Sequence, residues 1–309
     1  MRIFYTIGGA MKKYCKLIGT LPSLHDVKGI EFMLNSPDIQ EVRLNSGVND
    51  LLTPKEMVDK LKKIEDTYKK KVWIDLKGRQ LRIESWADPS YEAIELNHEI
   101  EIEYPAKIIF RGSNESNIVH TRKNKIVLDR PPERAVGKGQ SVNILAKSLN
   151  ITGYLTDQDK ALIEESSKVG LNNYMASFVE NNDDLVEILR INPNAEIISK
   201  IESMKGMEFV LKQGQYFKLM AARDDLYNET GRNIKILKCL KEIITRDKDA
   251  ICASRIFSSL NNSNSVELSD YEDLELMYEY GYRNFMLGDE IRGPKLVKAL
   301  SAWREFKNE

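Results

Sequence analysis

The feature of this sequence that most constrains its fold is the regular alternation of short apolar runs with longer amphipathic segments. Short apolar runs between turn residues are typical of buried parallel strands, and amphipathic segments are typical of the helices that cross between them. Eight such runs follow Tyr14, at residues 15–21, 40–46, 70–76, 172–179, 195–202, 216–222, 249–254 and 283–287. We therefore predict an α/β fold, a (β/α)₈ TIM barrel, whose active site belongs at the C-terminal ends of the strands.

Helix starts between the runs carry capping residues. A hydroxyl side chain at the N-cap and an acidic residue three positions later satisfy backbone N–H groups reciprocally, and a proline fits the first turn. The pattern occurs three times, in Thr53 with Glu56, Thr156 with Asp159, and Ser269 with Glu272. Pro54 adds the first-turn proline to the first of them. We predict that helices begin at these three places.

One segment, residues 79–150, breaks the alternation. It contains short β-patterned runs separated by prolines and glycines, which is typical of a small all-β domain. The sequence therefore predicts a barrel in two parts, residues 1–78 and 151–309, with a β domain of residues 79–150 inserted after the third strand. His98 and His120 lie in this insert, and we expect them to be solvent-facing structural histidines.

The amino-acid composition indicates in which compartment the protein works and which classes of partner it binds. The chain has 309 residues, 42% of them hydrophobic, which is enough for a large single core, and a formal net charge of -1. Such a balance gives no general attraction to nucleic acid or to an anionic membrane, so small molecules or proteins are the expected partners. No run reaches membrane-spanning length, the first ten residues are too short for a secretion signal, and the three cysteines lack pairing or metal-ligand spacing. We expect a cytoplasmic protein.

Charged residues stand at the ends of two neighbouring predicted strands. Lys200 and Glu202 end one of them, and Asp224 and Asp225 follow the next. Two carboxylates, Glu202 and Asp225, at adjacent strand ends suit a hard divalent cation, and Lys200 lies on the same side of its strand as Glu202. Together these groups suggest phosphoryl or enolate chemistry. The alternative is a salt-bridge network that closes the top of the barrel.

These strand ends resemble a known family. The segments IISKIES and LMAARDDL are similar to the IISKIEN and VARGDLG strands of pyruvate kinases. The resemblance implies that Lys200 stabilises the transferring phosphoryl group and that Glu202 and Asp225 hold Mg²⁺. It also implies that the insert, whose VGKGQSVNI segment is similar to the lid-exit segment of the family, is a mobile lid that closes over nucleotide and substrate.

Two further motifs carry the resemblance through the second and third strands. VRLNSGVN resembles ARLNFSHG, which implies that Arg43 contacts phosphate and that Asn45 is a ligand of a monovalent cation. WIDLKGRQLR resembles LDTKGPEIR, which implies that Asp75 is the other side-chain ligand of that cation and that Lys77 and Arg82 face the phosphates. These groups would focus positive potential on an anionic substrate. With Lys200, the arginines are the candidate catalytic residues.

Other positions shape the pocket or depart from the family. YMASFV resembles VFASFI and implies that Ser177 lies under the substrate, where core packing is an equally good interpretation. Asp224 replaces a glycine whose backbone N–H holds the substrate carboxylate, and Ile291 replaces a threonine that contacts it. Gly47 and Leu76 replace two monovalent-cation ligands, which argues against high-affinity K⁺ dependence and leaves a water-rich or lysine-substituted site as the alternative. We expect a diverged substrate pocket on retained metal and phosphoryl machinery.

Three functions remain open at this point. The first is a pyruvate-kinase-like, Mg²⁺-dependent phosphotransferase that acts on phosphoenolpyruvate or a related phosphorylated acid, with ADP or ATP as the second ligand. The second is a metal-dependent lyase or hydrolase of a 2-oxo acid, which needs no nucleotide. The third is a catalytically impaired homologue that serves as a binding or scaffold protein. The family also suggests a homo-oligomer that contacts through barrel faces.

Overall fold

The computed structural model describes residues 12–47, 52–84, 93–110, 115–133, 137–212 and 218–308. Its largest unit is a closed barrel of eight parallel strands. Numbered among all fifteen described strands in chain order, they are β1 (Lys16–Thr20), β2 (Ile39–Asn45), β3 (Lys71–Leu76), β11 (Asn173–Ala176), β12 (Glu196–Ile201), β13 (Lys218–Ala222), β14 (Ile251–Ala253) and β15 (Asn284–Met286). The predicted TIM barrel is confirmed, with every predicted run contributing a strand; residues 216–217 of the sixth run lie outside the described residues.

Helices connect and cover the barrel strands. They are α1 (Val27–Leu34), α2 (Pro54–Tyr68), α3 (Asp157–Lys168), α4 (Asn182–Ile191), α5 (Met204–Lys212), α6 (Arg223–Glu229), α7 (Lys235–Arg246), α8 (Leu268–Tyr280) and α9 (Pro294–Asn308), with a 3₁₀ turn at Ser258–Asn261. Thr53 and Thr156 make the reciprocal caps that the sequence predicts. The prediction for Ser269 is wrong, because Glu267 is the N-cap of α8 and its backbone N–H donates to Asp270.

The barrel interior explains where a site can form. A layer of apolar side chains fills it, from Ile18, Trp73, Met175, Ile198, Met220, Ile251, Ala253 and Met286. Side chains two residues further along the same strands face the same way, toward the C-terminal rim. Those residues include Asp75, Ser177 and Lys200, so a polar layer lies directly above the apolar one.

The insert has its own sheet and core. Five antiparallel strands pair in the order β4, β8, β7, β6, β9, and a further pair joins β5 to β10. These strands are β4 (Ala93–Glu95), β5 (Ile100–Glu101), β6 (Ala106–Ile109), β7 (Glu115–Arg122), β8 (Lys125–Leu128), β9 (Asn143–Leu145) and β10 (Asn150–Ile151). A separate apolar cluster lies within them, centred on residues such as Ile83, Ile108 and Ile126.

The two histidines of the insert differ. His120 is exposed on β7, as expected. His98 is buried, so the prediction that it faces solvent is wrong. Its Nε2 lies 2.9 Å from the carbonyl oxygen of Gly78 and its Nδ1 lies 3.3 Å from that of Thr152, which are the backbone segments where the chain leaves and re-enters the barrel.

Two further observations concern the whole described chain. Cys15, Cys239 and Cys252 are buried free thiols, and burial raises the pKa of Cys252 to about 12. Among the described residues, no helix combines the length and the apolar character needed to cross a membrane.

Candidate active site

A cavity of about 1020 Å³ opens at the C-terminal ends of the barrel strands and is bordered by the insert. All but one of the predicted site residues line it, namely Arg43, Asn45, Asp75, Lys77, Arg82, Ser177, Lys200, Glu202, Asp224 and Asp225. The polar layer above the apolar barrel core therefore brings together residues from five separate strands or strand ends. Their charges are close enough to determine one another's protonation.

Lys200 lies at the centre of this layer. Its ammonium donates to Ser177 Oγ at 2.7 Å and to Asp75 Oδ1 at 3.1 Å, and it lies 3.2 Å from Glu202 Oε1. Although burial lowers the pKa of Lys200, the adjacent carboxylates Asp75 and Glu202 outweigh it and raise that pKa. The ammonium is thus held charged at a fixed place in the cavity wall.

Arg43 lies beside it, at the end of β2. Its Nε and Nη2 contact Asp75 Oδ2 at 2.7 and 2.6 Å, and its Nη1 donates to Thr20 Oγ1 at 3.1 Å. Burial alone would raise the pKa of Asp75, but Lys200 and Arg43 lower it below its ordinary value. Asp75 therefore remains ionised between two cations, and it fixes the orientation of both.

Glu202 and Asp225 are the two carboxylates of the predicted metal site. Glu202 Oε2 accepts the backbone N–H of Phe178 at 2.8 Å, and Asp225 Oδ1 accepts Asn143 of β9 at 3.1 Å. Burial, with the charge of Asp225 added, raises the pKa of Glu202 to about 7, and burial, with the charge of Asp224 added, raises the pKa of Asp225. Two carboxylates that resist ionisation together fit a divalent cation, which would compensate both charges.

The metal-ligand set is small. Within the described part of the chain, no group of three or more His, Cys, Asp or Glu residues is arranged to hold a metal ion. Mg²⁺ suits such a set, because it keeps several waters and takes one or two protein carboxylates together with substrate oxygens. The donors present are hard oxygens, as this ion prefers.

Arg82 and Gly47 pack against each other near the predicted monovalent-cation site. A Cβ at Gly47 would lie 2.9 Å from the Arg82 guanidinium carbon, so glycine leaves room for that group. Arg82 donates to the carbonyl oxygen of Gly139 in the insert at 2.6 Å, while its buried Nε has no hydrogen-bond partner among the described residues. Burial lowers the pKa of Arg82.

The predicted cation ligands are engaged by protein groups. Asn45 Oδ1 accepts the backbone N–H of Gly47 at 3.0 Å. Asp75 accepts from Arg43, Lys200 and Ser177. Neither side chain offers a cluster of uncommitted oxygens, so this part of the site fits K⁺ poorly.

The residues at positions 77, 224 and 291 differ in what they face. Lys77 lies in the cavity wall, where its ammonium donates to Gln158 at 2.5 Å. Asp224 turns to the rim and accepts Arg255 Nε at 2.7 Å. Ile291 is fully buried in the apolar cluster outside the barrel strands and does not line the cavity. The expectation that Ile291 is a substrate-binding position is therefore corrected: it is a packing residue.

Asp289 and Asn143 are among the cavity residues that the sequence reasoning missed. Asp289, in the turn after β15, places Oδ1 at 3.0 Å from Arg43 Nη1 and Oδ2 at 2.8 Å from Asn45 Nδ2. Asn143, on the insert, reaches Asp225. The partners of each are far apart in sequence, so no local pattern indicates these contacts; the charged DE pair after MLG was the available signal for Asp289.

No family model matches the chain, but two curated proteins are similar to it in sequence. It is similar to the pyruvate kinase of Borreliella burgdorferi, with 22% identity over 243 residues that cover 70% of this chain and 50% of that protein. It is also similar to the pyruvate kinase of Debaryomyces hansenii, with 24% identity over 287 residues that cover 79% and 56%. The chain thus spans about half the length of the curated relatives it matches.

Proposed function

We propose that this chain, which is related to the pyruvate kinases, is a Mg²⁺-dependent phosphotransferase that acts on phosphoenolpyruvate or a related phosphorylated small acid. The observation that supports this most is the place of Lys200. Its ammonium is held by Asp75, Ser177 and Glu202 in the wall of the cavity, so a fixed positive charge faces the space for an anionic group. Preorganised charges of this kind stabilise the charge that develops on a transferring phosphoryl group.

Glu202 and Asp225 are the residues that we propose to hold Mg²⁺. Both line the cavity, and the raised pKa of each reflects buried negative charge that lacks a full counter-charge. When bound, the ion would neutralise charge on phosphoryl oxygens. Phe178 supports this arrangement, because its left-handed backbone, with φ 52°, places its N–H on Glu202.

Basic residues at the ends of β2 and β3 are proposed to bind the phosphates. Arg43 and Lys77 line the cavity, and Arg82 brings a buried N–H donor without a partner among the described residues. An unsatisfied buried donor costs about 1–3 kcal/mol, so an anionic ligand that accepts from it gains that amount. The insert, which already contributes Gly139 and Asn143 to the wall, is proposed to act as the lid over substrate and nucleotide.

One observation favours a second candidate, a catalytically impaired homologue that binds ligands or partners. The donors of Lys200 are all used by protein acceptors, and Arg43 contacts two carboxylates, Asp75 and Asp289. A site whose cations are already neutralised binds an anion less strongly. We further propose a cytoplasmic, K⁺-independent protein, since the three cysteines are free and the matched cation ligands are engaged.

The test is pyruvate formation from phosphoenolpyruvate and ADP with Mg²⁺, followed by a coupled lactate dehydrogenase assay. Lys200→Met should lower kcat by about a hundredfold to a thousandfold, because it removes the fixed charge from the site. Lys218→Met is the matched control, since Lys218 is exposed and pairs with Glu196 at the opposite end of the barrel strands. Wild-type protein without turnover, or Lys200→Met with wild-type turnover, would contradict the phosphotransferase and favour the impaired homologue.

A further inference from the structure

Asp289 is a carboxylate of the cavity wall that the proposed chemistry does not use. It lies in the turn between β15 and α9 and bridges two donors at the end of β2. One oxygen contacts Arg43 Nη1 at 3.0 Å and the other contacts Asn45 Nδ2 at 2.8 Å. This is the arrangement in which a carboxylate or phosphate ligand would be held by the same two donors.

The contact is not needed to neutralise Arg43. Asp75 already pairs with that guanidinium through two contacts of 2.7 and 2.6 Å and is itself fixed by Lys200. Asp289 therefore adds a second negative charge to one arginine. Any anionic ligand that approaches Arg43 from the cavity meets this charge at close range, which opposes its binding.

Asp75 and Asp289, the two carboxylates that contact Arg43, differ in their exposure to solvent. The side chain of Asp75 is 4% exposed, whereas that of Asp289 is 46% exposed. Moving Asp289 away from Arg43 returns a half-exposed carboxylate to water and leaves Arg43 paired with Asp75, so it costs less than breaking a pair in which both groups are buried. The backbone of this turn is anchored by the buried side chains of Leu287 and Ile291, so Asp289 would leave Arg43 by rotation of its own exposed side chain, which needs no shift of the backbone.

We propose that Asp289 occupies an anion subsite formed by Arg43 and Asn45, and that an anionic group of the ligand must displace it to bind there. This inference rests on the proposed role of Arg43 in anion binding. It makes Asp289 a residue that sets affinity and selectivity: weakly charged ligands are excluded, and ligands with a phosphate group compete successfully. If a ligand binds only to molecules in which Asp289 has left the subsite, its apparent dissociation constant is the intrinsic one divided by the fraction of molecules in that state.

Inorganic phosphate is the probe, and its binding is measured by calorimetry at constant ionic strength. Asp289→Ala should bind phosphate about three- to tenfold more tightly than wild type, because the competing carboxylate is gone. Asp289→Asn, which keeps the shape but not the charge, should fall between the two. Glu290→Gln is the matched control: it removes an equal charge from the same turn, but Glu290 contacts Asn261 and not Arg43.

A double-mutant cycle separates occupancy of the subsite from a general charge effect. In wild type, Asn45→Ala removes a hydrogen-bond donor that serves both Asp289 and the bound phosphate. Loss of the donor weakens phosphate binding but also weakens its competitor, so the two effects partly cancel. In the Asp289→Ala background only the ligand is affected, so Asn45→Ala should weaken phosphate binding more there. Thermal unfolding of each variant checks that the fold is kept.

The outcomes distinguish this inference from the proposed function. Phosphate binding that is equal or weaker in Asp289→Ala, or that tightens equally in Glu290→Gln, overturns the role of Asp289 while the anion site stands. Absence of phosphate binding in wild type and in Asp289→Ala overturns the anion site and this inference together.

Discussion

The two halves of the cavity wall hold their charges in opposite ways. In the half formed by β2, β3, β11 and β12, the charged groups are buried and bond to one another, as Arg43, Asp75 and Lys200 do. At the ends of β13, β14 and β15, Asp225 belongs to the buried charges, but other charges are at the rim, where the Asp224 side chain is 59% exposed and pairs with Arg255. The buried charges hold one another in place and so determine which reaction the site can support. Substitutions at the rim can change which ligand binds, at little cost to the free energy of unfolding.

Energetics explain the division. A buried ion loses its hydration, so it persists only where partners satisfy it from several sides. The eight strand ends provide such partners because side chains two residues apart along a strand face one interior. Rim charges keep their water, and their pairs contribute little.

The largest effect is expected when one charge is removed from the buried part of the wall and one from the rim, and the stabilities of the two variants are compared. Asp75→Asn should lower the free energy of unfolding by about 3–5 kcal/mol, because Arg43 and Lys200 lose their shared buried counter-charge. Asp224→Asn, the matched change at the rim, should lower it by about 0–1 kcal/mol. Urea unfolding of both variants measures the difference; equal midpoints would show that the two halves do not differ.

The second prediction concerns pH. The pKa of Glu202 in the folded protein is about 7, above its ordinary value of 4.5. The folded state therefore holds a proton that the unfolded state releases between these values, and stability without divalent cations should fall as pH rises from about 4.5 to 7, by on the order of 3 kcal/mol. Glu202→Gln should flatten that decline in thermal unfolding measured across this range.

A control for this pH effect is Glu229, whose pKa is also raised to about 7, mainly by burial and then by Glu180. Glu229→Gln should remove the part of the pH-dependent loss of stability that Glu229 contributes and leave the part contributed by Glu202. Added Mg²⁺ should raise the unfolding temperature at pH 8 more than at pH 5 in wild type and in Glu229→Gln, but not in Glu202→Gln. A Mg²⁺ effect that survives in Glu202→Gln would place the ion elsewhere.

A smaller effect is expected from the rim pair itself. Arg255→Ala should leave the unfolding free energy within about 1 kcal/mol of wild type, because both Arg255 and Asp224 are exposed and can be solvated separately. The variant should still change ligand affinity, since both residues line the cavity. Phosphate titration beside urea unfolding measures the two quantities; a large loss of stability without a change in binding would contradict the assignment of the rim to ligand choice.

The smallest expected effect is that of K⁺. Because Asn45 and Asp75 are engaged by protein donors, replacing Na⁺ by K⁺ at fixed ionic strength should change phosphotransferase activity by less than about twofold. Steady-state rates in the two salts measure this. Strong stimulation by K⁺ would show that the polar layer opens to admit an ion.

Periodicity explains how much of this could be predicted from the sequence. The barrel strands and the polar layer followed from apolar runs that end in charge, and Thr53 and Thr156 cap helices through contacts of three residues' span. Asp289 and Asn143 could not be predicted, since their partners lie 246 and 82 residues away and depend on the conformation of turns. His98 was assigned the wrong exposure because its two carbonyl partners are on other segments.

His98 also has a consequence for how the insert can move. Both chain crossings between the β sheet and the barrel are tied to one imidazole, at Gly78 and at Thr152. The insert also contacts the barrel away from this imidazole, through Asn143 with Asp225 and Leu149 with Lys205. A rotation of the insert about His98 would therefore leave the two crossings in place and would first have to break these outer contacts, which lie further from the axis and would be displaced most.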